Sequence, residues 1–400
     1  MLKGIAAAGV VIAAVAVAPA ASAGPVAHPA AGSACDGRWR IQPSALVPPQ
    51  QPGQEDLDGL NAVAAVSRTD QWAVGSWEQY PKAYTFHTLA EHSAGSNWTH
   101  TPSPNLAPPL DSSLFGIAAV SARNVWAVGG PRVMEPYRSL VEHWDGTKWS
   151  IVRSASFPGT LSGVAAAGPA NIWAVGTLGF PGPGLIEHFD GHTWTATNLP
   201  FNGWLRSVTA IAPNNVWAVG LRWAANNAES PLTMHFNGHA WAVVANPRLL
   251  PGRNDDQAWL VSVSGAAANV WAVGWYGSVA LGLRPRTLIE HWDGHQWTVV
   301  RSPNPGTDPN GNALWGVVTV SPHDVWAVGS VGGVLDAFPT TKPLIVHWNG
   351  SAWSRVAAPG TGQLLAAAAE PSGTGVTAVG ISSANHAYLA PLAEHVCPCQ

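Results

Sequence analysis

NVWAVGG at residues 124–130 and LVEHWDGTKWSIV at residues 140–152 are two motifs that recur together along this chain of 400 residues. The first motif contains Trp-Ala-Val-Gly, which begins at Trp72, Trp126, Trp173, Trp217, Trp271 and Trp326, with an altered copy at Thr377. A histidine of the second motif recurs at His92, His143, His188, His235, His291, His347 and His395. The steps of the first motif are 54, 47, 44, 54, 55 and 51 residues, so the chain consists of seven units of about fifty residues.

Each repeat unit is predicted to form four short strands, which we label a, b, c and d. In the second unit they cover residues 114–120, 125–128, 140–144 and 149–152, and Asp145-Gly146 forms the turn between strands c and d. Val, Ile and Trp favour strands, and no helical spacing of apolar residues is visible. The pattern predicts an all-β fold, a seven-bladed β-propeller of four-stranded antiparallel blades.

The two ends of the chain are predicted to share the last blade. The seventh unit stops after its strand c at residues 392–396, whereas residues 36–41, DGRWRI, look like a turn followed by an isolated strand d. We therefore expect the N-terminal strand to close the ring. Cys35 then lies beside Cys397 and Cys399, and we expect it to form a disulfide with one of these two.

The first residues are typical of a signal peptide. Lys3 precedes an apolar run over residues 5–17, and Ala21-Ser22-Ala23 fits a cleavage site. The run is shorter than the roughly 20 apolar residues of a membrane span. We expect a secreted chain without a membrane anchor, divided into a signal peptide (1–23), a short linker (24–34) and one propeller domain (35–400).

Composition excludes several classes of protein. A chain with 46% hydrophobic residues is too apolar for disorder, and a net charge of −4 opposes a nucleic-acid partner. Neither a phosphate-binding loop nor a nucleophile elbow is present. Residues 308–312, DPNGN, place oxygen-bearing side chains as calcium loops do but lack the later acid, which favours a plain turn. We expect no metal, no cofactor and a monomer.

Connection lengths distinguish the two faces of the predicted ring. The strand c histidine and the strand d tryptophan are always six residues apart in the six unbroken units. In contrast, the step from strand b to strand c varies from 15 to 21 residues, and the step from strand d to the next strand a varies from 11 to about 19. Variable connections on one face of a repeat protein usually mark its binding face.

Six tryptophans outside the repeat pattern, joined by Tyr80 and Tyr84, fall in or beside the variable connections. They are the candidate ligand-binding residues Trp77, Tyr80, Tyr84, Trp204, Trp223, Trp259, Trp275 and Trp315. Aromatic side chains there suit stacking on sugar rings or a hot spot for a protein partner. The alternative, that they cap gaps between neighbouring blades, stays open.

The repeated Glu-His pair favours a structural role over catalysis. Its copies lie in separate blades, and strand alternation puts adjacent residues such as Glu142 and His143 on opposite faces. A glycosidase needs two carboxylates roughly 5–10 Å apart. The acids that could supply them are Glu78, Glu229, Asp255, Asp256 and Asp308. Their spacing selects no pair, so we predict no catalytic residue.

The repeats resemble those of Kelch-type propellers. NVWAVGG, LVEHWDGTKWSIV and LSGVAAAG (161–168) have the glycine that ends strand b, the aromatic residue in strand c and the tryptophan that opens strand d. The Kelch double glycine occurs only at Gly129-Gly130, and Trp-Ala-Val-Gly is also similar to tectonin-like repeats, which are often lectins. Galactose oxidase-like propellers need a Tyr-Cys cross-link, which the terminal position of every cysteine opposes.

These observations lead us to expect an exported binding module. Its aromatic loops on one propeller face would recognise an extracellular carbohydrate or a surface protein. The alternative is a secreted glycan-active hydrolase or lyase with its site at the mouth of the central channel.

Overall fold

The computed structural model describes most of the repeat region. The described residues are 38–42, 44, 59–78, 85–95, 97–108, 110–131, 137–156, 158–224, 228–249, 257–278, 283–306, 308–332, 341–373, 375–382 and 390–396. All of them belong to one compact unit, Cys35–Gln400. The predicted signal peptide, the linker, the three cysteines, Tyr80, Tyr84, Asp255 and Asp256 lie outside the described residues.

The described residues form 27 strands. The N-terminal strand is β1 (Arg40–Gln42). The first two repeat units form β2 (Gly59–Ser67), β3 (Asp70–Glu78), β4 (Phe86–Ser93), β5 (Trp98–His100), β6 (Ser113–Ser121), β7 (Asn124–Gly130), β8 (Leu140–Trp144) and β9 (Trp149–Val152). The third and fourth form β10 (Thr160–Gly168), β11 (Asn171–Thr177), β12 (Pro183–Phe189), β13 (Trp194–Ala212), β14 (Asn215–Trp223), β15 (Glu229–Phe236) and β16 (Trp241–Val244).

The last three units complete the set. They form β17 (Ala258–Ala266), β18 (Asn269–Ser278), β19 (Leu283–Trp292), β20 (Trp297–Val299), β21 (Asn312–Ser321), β22 (Asp324–Val331), β23 (Lys342–Trp348), β24 (Trp353–Val356), β25 (Gly362–Ala369), β26 (Val376–Ser382) and β27 (Ala390–Val396). In the described part of the chain no helix is long and apolar enough to cross a membrane.

The strands pair into five four-stranded sheets and one seven-stranded sheet. In the seven-stranded sheet, β13 pairs with β12 through its first part and with β14 from Gly203 onward. The step from Trp194 to Leu205 is 11 residues, and here the two strands run on as one, whereas the equally long step from Trp353 to Leu364 leaves β24 and β25 separate. Separate strands were expected. The pairing of β13 with β12 continues to Asn202, opposite Pro183, so the strand reaches Gly203 without an intervening turn.

The sheets follow one another in a closed series. The first strand of each unit contacts the first strand of the next, in the order β2, β6, β10, β13, β17, β21 and β25, and β25 contacts β2. We call these the inner strands. The N-terminal strand β1 pairs antiparallel with β27, with Arg40 opposite His395. The prediction of an all-β, propeller-like fold of antiparallel sheets is confirmed, and so is the pairing of the two terminal strands.

A tryptophan joint connects neighbouring repeat units. Trp271 of strand b stacks on His291 of its own sheet, with the ring centroids 4.1 Å apart. It also meets Trp353 of the next unit edge to face, at 5.3 Å and 82°. The equivalent strand b and strand d pairs are Trp72 with Trp149, Trp126 with Trp194, Trp173 with Trp241, Trp217 with Trp297, and Trp326 with Trp39. Edge-to-face aromatic pairs are favourable beyond the area that they bury, so the same pair of side chains holds each of these six interfaces.

The ends of the chain meet at a modified joint. Trp39 occupies the position of a strand d tryptophan, packing on Trp326 at 5.5 Å, and is buried. In the last unit Thr377 stands where the other units have the strand b tryptophan. Trp98 of the first unit instead donates its indole N–H to the Gln42 side chain, at 3.0 Å. The N-terminal strand thus contributes to the interfaces on both sides of the last sheet.

Small residues let the inner strands approach one another. A Cβ added to Gly163 would lie 3.0 Å from the Cα of Ser207, and one added to Gly316 would lie 2.8 Å from the Cα of Ala366. Where serine is present, its hydroxyl accepts a backbone bond from the next inner strand, as Ser262 does from the Val317 N–H at 3.1 Å. Close backbone contact therefore sets the width of the ring at its centre.

We predict that the joint tryptophans dominate stability. Trp271 is 1% exposed and contacts rings in two repeat units, so Trp271→Ala should lower the free energy of unfolding in urea by about 3–5 kcal/mol. Ile151→Ala, at an exposed apolar position, should change it by less than about 0.5 kcal/mol. Equal effects of the two substitutions would show that the joint does not hold the sheets together.

Candidate functional site

The repeated glutamates link each sheet to the connection that precedes it. Glu142 is fully buried and accepts a hydrogen bond from the Ser103 hydroxyl at 2.7 Å. Ser103 lies between β5 and β6, in the connection from the previous unit. The same arrangement joins Glu91 to Ser44, Glu187 to Ser154, and Glu290 to Asn246. These carboxylates fix the connections between units, as a structural role predicts.

The repeated histidines form a second structural contact. In four units the histidine Nε2 lies within hydrogen-bond distance of the asparagine Oδ1 that begins strand b, as for His143 and Asn124 at 3.0 Å. Burial lowers the pKa of His143, His188, His235 and His291. A neutral ring with its proton on Nε2 can donate to the asparagine and stack on the strand b tryptophan. The Glu-His pair is therefore committed to the fold in separate sheets.

The Glu142 side chain is a buried carboxyl group with few hydrogen bonds that would stabilise its ionised form. Burial raises the pKa of Glu142 to about 8, and the hydrogen bond from Ser103 only partly opposes the shift. Its Oε1 is buried without a hydrogen-bond partner. Glu142 is thus largely protonated at neutral pH, whereas the same residue in the unfolded chain is ionised.

Five aromatic side chains come together at the loop end of the sheets, where the variable connections lie. They are Phe180, Trp204, Trp223, Trp259 and Trp275, which we call the aromatic cluster. Phe180 meets Trp204 at 5.3 Å and Trp223 at 4.8 Å, Trp204 meets Trp259 at 6.4 Å, and Trp259 meets Trp275 at 5.4 Å. The cluster spans the third, fourth and fifth repeat units. Its contacts are edge-to-face or tilted, the geometries that aromatic pairs prefer.

Glu229 binds two tryptophans of the aromatic cluster through hydrogen bonds. Its Oε1 accepts the indole N–H of Trp223 at 3.2 Å, and its Oε2 accepts that of Trp259 at 2.6 Å. One carboxylate thus ties an aromatic residue of the fourth unit to one of the fifth. Because an ionised acceptor forms the stronger kind of hydrogen bond, this bridge fixes both rings. Glu229 is engaged as a support.

The rings of the cluster differ in exposure. Trp223 and Trp275 are buried, with exposed fractions of 8% and 7%, and Trp204 and Trp259 are partly buried. Phe180, in the connection between β11 and β12, is 48% exposed. Most of the tryptophans therefore pack on one another between sheets, which agrees with the capping interpretation. Phe180 offers the open surface.

The structure divides the predicted aromatic residues into groups. Trp204, Trp223, Trp259 and Trp275 belong to the cluster. Trp315 lies next to it, packed with Trp259 against a small core that contains Trp275. Trp77 is in the first sheet and stacks on His87 at 4.5 Å, outside the cluster. The remaining two predicted residues, Tyr80 and Tyr84, lie outside the described residues.

Two arginines border the cluster. The Arg206 guanidinium lies 4.2 Å from the ring centre of Trp204, and the exposed Arg222 lies 4.4 Å from that of Phe201. Burial lowers the pKa of Arg206 to about 10, so the side chain remains charged at neutral pH. Neither Phe180 nor Arg206 was among the predicted residues, which were all Trp or Tyr. A charged residue in an inner strand that is otherwise apolar was a usable signal for Arg206.

Of the acids considered for hydrolysis, Glu229 is the described one that contacts the aromatic cluster. Glu78 ends β3 in the first sheet, whereas Glu229 begins β15. Asp308 accepts the backbone N–H of Asn310 at 2.9 Å, as in a plain turn. Within the described ranges, no group of three or more His, Cys, Asp or Glu side chains could hold a metal ion.

A groove of about 490 Å³ lies at the opposite end of the sheets, at the short turns. Trp217, His235 and Asn215 line part of it. These three residues already bond or stack with one another in the repeat joint. The aromatic cluster, built from residues outside the repeat pattern, is therefore the candidate functional site.

Comparison with known proteins identifies the fold. No protein-family model and no curated protein match the sequence. Among solved structures, the WD40 repeats of RRP9 are similar with a TM-score of 0.59 and 8% identity, over 91% of this chain and 98% of that one. YCF48 from Cyanidioschyzon merolae is similar with a TM-score of 0.53 and 14% identity, over 90% and 98%.

A third likeness is to part of a larger enzyme. The GH74 xyloglucanase from Xanthomonas campestris is similar with a TM-score of 0.52 and 12% identity, over 88% of this chain and 55% of that one. At such identities these likenesses show a propeller-type fold alone. The Kelch-like or tectonin-like assignment stays a prediction.

Glu142→Gln is predicted to remove a pH dependence. The pKa of Glu142 is higher in the folded protein than in the unfolded chain. Between pH 4.5 and about 8 the carboxyl ionises in the unfolded chain but stays protonated in the folded protein, so the free energy of unfolding falls as the pH rises. The variant should therefore gain stability relative to the parent across this range, by at most roughly 4 kcal/mol. The measurement is urea unfolding at several pH values.

Glu187→Gln is the matched control. The Glu187 carboxylate accepts bonds from the hydroxyls of Ser154 and Ser156 and from the Ala155 N–H. Loss of its charge should weaken these bonds and lower stability at pH 8. A Glu142→Gln variant that is less stable than the parent at pH 8 would contradict the assigned ionisation.

Glu229→Gln is predicted to loosen the aromatic cluster. The new amide nitrogen cannot accept from an indole N–H, so one of the two bonds to Trp223 and Trp259 is lost. The expected cost is about 1–3 kcal/mol, with a change in the near-ultraviolet circular dichroism of the tryptophans. Arg222→Gln, at an exposed position, should alter neither quantity. Unchanged stability of Glu229→Gln would show that this bridge does not support the cluster.

Proposed function

We propose that the protein is a seven-bladed propeller that binds a segment of a partner protein at the aromatic cluster. The observation that carries the proposal is the meeting of Phe180, Trp204, Trp223, Trp259 and Trp275 at the loop end of the ring. The inner strands support the blade number, because β13 provides the outer strand of one blade and the inner strand of the next. Each of the seven repeat units then contributes one blade.

A protein partner suits the cluster better than a sugar. Sugars stack on open aromatic faces, but Trp204 is covered by Arg206, and Trp223 and Trp275 are buried. A rigid aromatic group with an exposed edge, bordered by arginines, matches the composition of protein hot spots. Phe180 supplies the apolar contact, and the buried tryptophans hold it in place.

The similar structures are compatible with this assignment. One of them is YCF48 with a bound D1 peptide, with a TM-score of 0.50 and 15% identity over 90% of this chain. A propeller of this kind can therefore hold a peptide. The xyloglucanase keeps glycan hydrolysis as the alternative, but Glu229 is engaged by two indole N–H groups, and the cluster has no second acid among its described members.

Export is part of the proposal. The leader pattern of residues 1–23 and the disulfide from Cys35 to Cys397 or Cys399 belong together, because an oxidising compartment permits the bond. The paired terminal strands β1 and β27 bring both ends of the chain to one sheet, which supports a covalent closure there. A secreted monomer without an anchor is the proposed state.

Selection of peptides tests the proposed function. A random peptide library displayed on phage is selected against the purified protein, and the enriched peptides are synthesised and titrated. Phe180→Ala should weaken their binding roughly tenfold or more, because Phe180 supplies the exposed apolar contact. Trp204→Ala should do the same, with the fold checked by circular dichroism.

Two controls define the result. Ile151→Ala removes a similarly exposed apolar side chain elsewhere, and Trp77→Ala removes a tryptophan outside the cluster, so both should leave binding unchanged. Peptides that bind equally well to Phe180→Ala and Trp204→Ala would contradict the site. Binding on a glycan array without any enriched peptide would favour the carbohydrate alternative.

A further inference from the structure

Each inner strand has one extra residue near its loop end. The register of its pairing shifts there, so two residues oppose one of the neighbouring strand. The extra residues are Asn61, Phe115, Ser162, Arg206, Val261, Trp315 and Leu365. Because successive inner strands contact one another, these positions form a circle around the centre of the ring. Arg206 is the only one of them that carries a charge.

Arg206 has no counter-charge among the described residues. The ion pairs there are His92 with Asp70 and His347 with Asp324. The contact of Arg206 is the stack on Trp204, and burial alone lowers its pKa. The carboxylate of the same cluster, Glu229, is taken by Trp223 and Trp259. Within the part of the chain that the structure describes, the guanidinium therefore keeps its charge without a carboxylate partner.

Such a group is unfavourable for folding. Arg206 is partly buried, and a stack on an aromatic ring returns only part of the solvation that a guanidinium loses when no anion is beside it. An apolar residue, as at Val261 and Leu365, would suit the position better. Residues that lower the stability of the fold and make no compensating structural contact are typical of functional positions.

The guanidinium is also placed over an aromatic ring that is itself fixed. It lies on the Trp204 ring, and Trp204 in turn donates its indole N–H to the Ser162 hydroxyl at 2.7 Å. Ser162 is the extra residue of the preceding inner strand. A stacked guanidinium presents its N–H groups in its own plane, the geometry that accepts a carboxylate through two parallel hydrogen bonds.

We propose that Arg206 binds a carboxylate of the partner segment, so that the ligand of the aromatic cluster is an acidic peptide. This inference rests on the proposed function and names its ligand chemistry. Phe180 contacts an apolar residue of the peptide, and Arg206 binds an aspartate or glutamate beside it. The exposed Arg222, above Phe201, adds a second positive charge in the same sheet.

The test uses two short probes of equal length. A peptide of four glutamates with blocked ends, and its counterpart of four glutamines, are titrated against the protein labelled with 5-fluorotryptophan. The fluorine signal of Trp204 is assigned with Trp204→Phe. The glutamate peptide should shift this signal saturably, and the glutamine peptide should not. Arg206→Gln should weaken the response roughly tenfold to a hundredfold, as expected for a hydrogen-bonded charge.

Conservative variants separate charge from structure. Arg206→Lys should keep part of the binding, because lysine retains the charge without the planar fork. Arg222→Gln should reduce binding less than Arg206→Gln does. Arg206→Met should raise the Tm of the free protein, because it removes an uncompensated charge and keeps the length of the side chain. A lower Tm would instead show that Arg206 serves the fold, which would overturn the proposal.

Other outcomes distinguish this inference from the proposed function. An equal response to the two probes, or a response that Arg206→Gln leaves intact, would overturn the role of Arg206. A response to an oligomer of glucuronate and none to the glutamate peptide would overturn the assignment to a peptide. If selected peptides bind through Phe180 but are indifferent to Asp→Asn and Glu→Gln changes, the proposed function stands and the acidic ligand is wrong.

Discussion

The contact between the strand b tryptophan of one repeat unit and the strand d tryptophan of the next underlies the whole structure. A four-stranded sheet of small apolar residues cannot bury its own faces, so each unit depends on its neighbours. At six of the seven interfaces the joint supplies a large ring at the equivalent strand b position, packed on a histidine of its own sheet. At the centre, glycine, alanine and serine bring the inner strands into backbone contact. Large rings outside and small residues inside together give the sheets their spacing.

This construction explains where a site can form. Residues of the repeat are used for the joints, as the histidines and buried glutamates show. The loop end of the ring is free to vary, because the joint does not need it. There the third, fourth and fifth units depart from the repeat, with Trp204 and Arg206 in one inner strand, Trp259 in the next and Glu229 between them. The shared strand β13 brings the third and fourth units together without an intervening loop, which keeps Trp204 close to Phe180.

Sequence periodicity predicted the architecture because each joint leaves a visible trace. Trp39 could be assigned to the last sheet from six residues, since a turn glycine followed closely by the strand d tryptophan recurs in every unit. Periodicity also placed the extra tryptophans at the loop end. Periodicity could not predict which of these tryptophans contact one another, because the order of the units along the chain does not determine the side-chain conformations in the loops. Trp275 follows its strand b tryptophan by four residues and Trp77 by five, so the two side chains point to opposite faces of their strands, and only Trp275 joins the cluster. Arg206 required the register shift in β13, which is a property of the folded strand.

Energetically, the two kinds of position behave differently. A joint tryptophan such as Trp271 adds stability through contacts with two units. Arg206 carries a charge that no described residue compensates. The Glu229 carboxylate instead accepts hydrogen bonds from two indole N–H groups and orients them. A charged group without a partner in the free protein can bind a ligand group of opposite charge. Because this group is held rigidly, binding costs little conformational entropy. The ring supplies the rigidity, and the departures from the repeat supply the chemistry.

A crystal structure of the protein with a bound acidic peptide would test most directly whether the aromatic cluster and Arg206 form the binding site. The account predicts that the peptide lies at the loop end of the ring, with an apolar residue against Phe180 and a carboxylate on the Arg206 guanidinium. A peptide bound at the short-turn end of the sheets, or one that contacts neither residue, would contradict it.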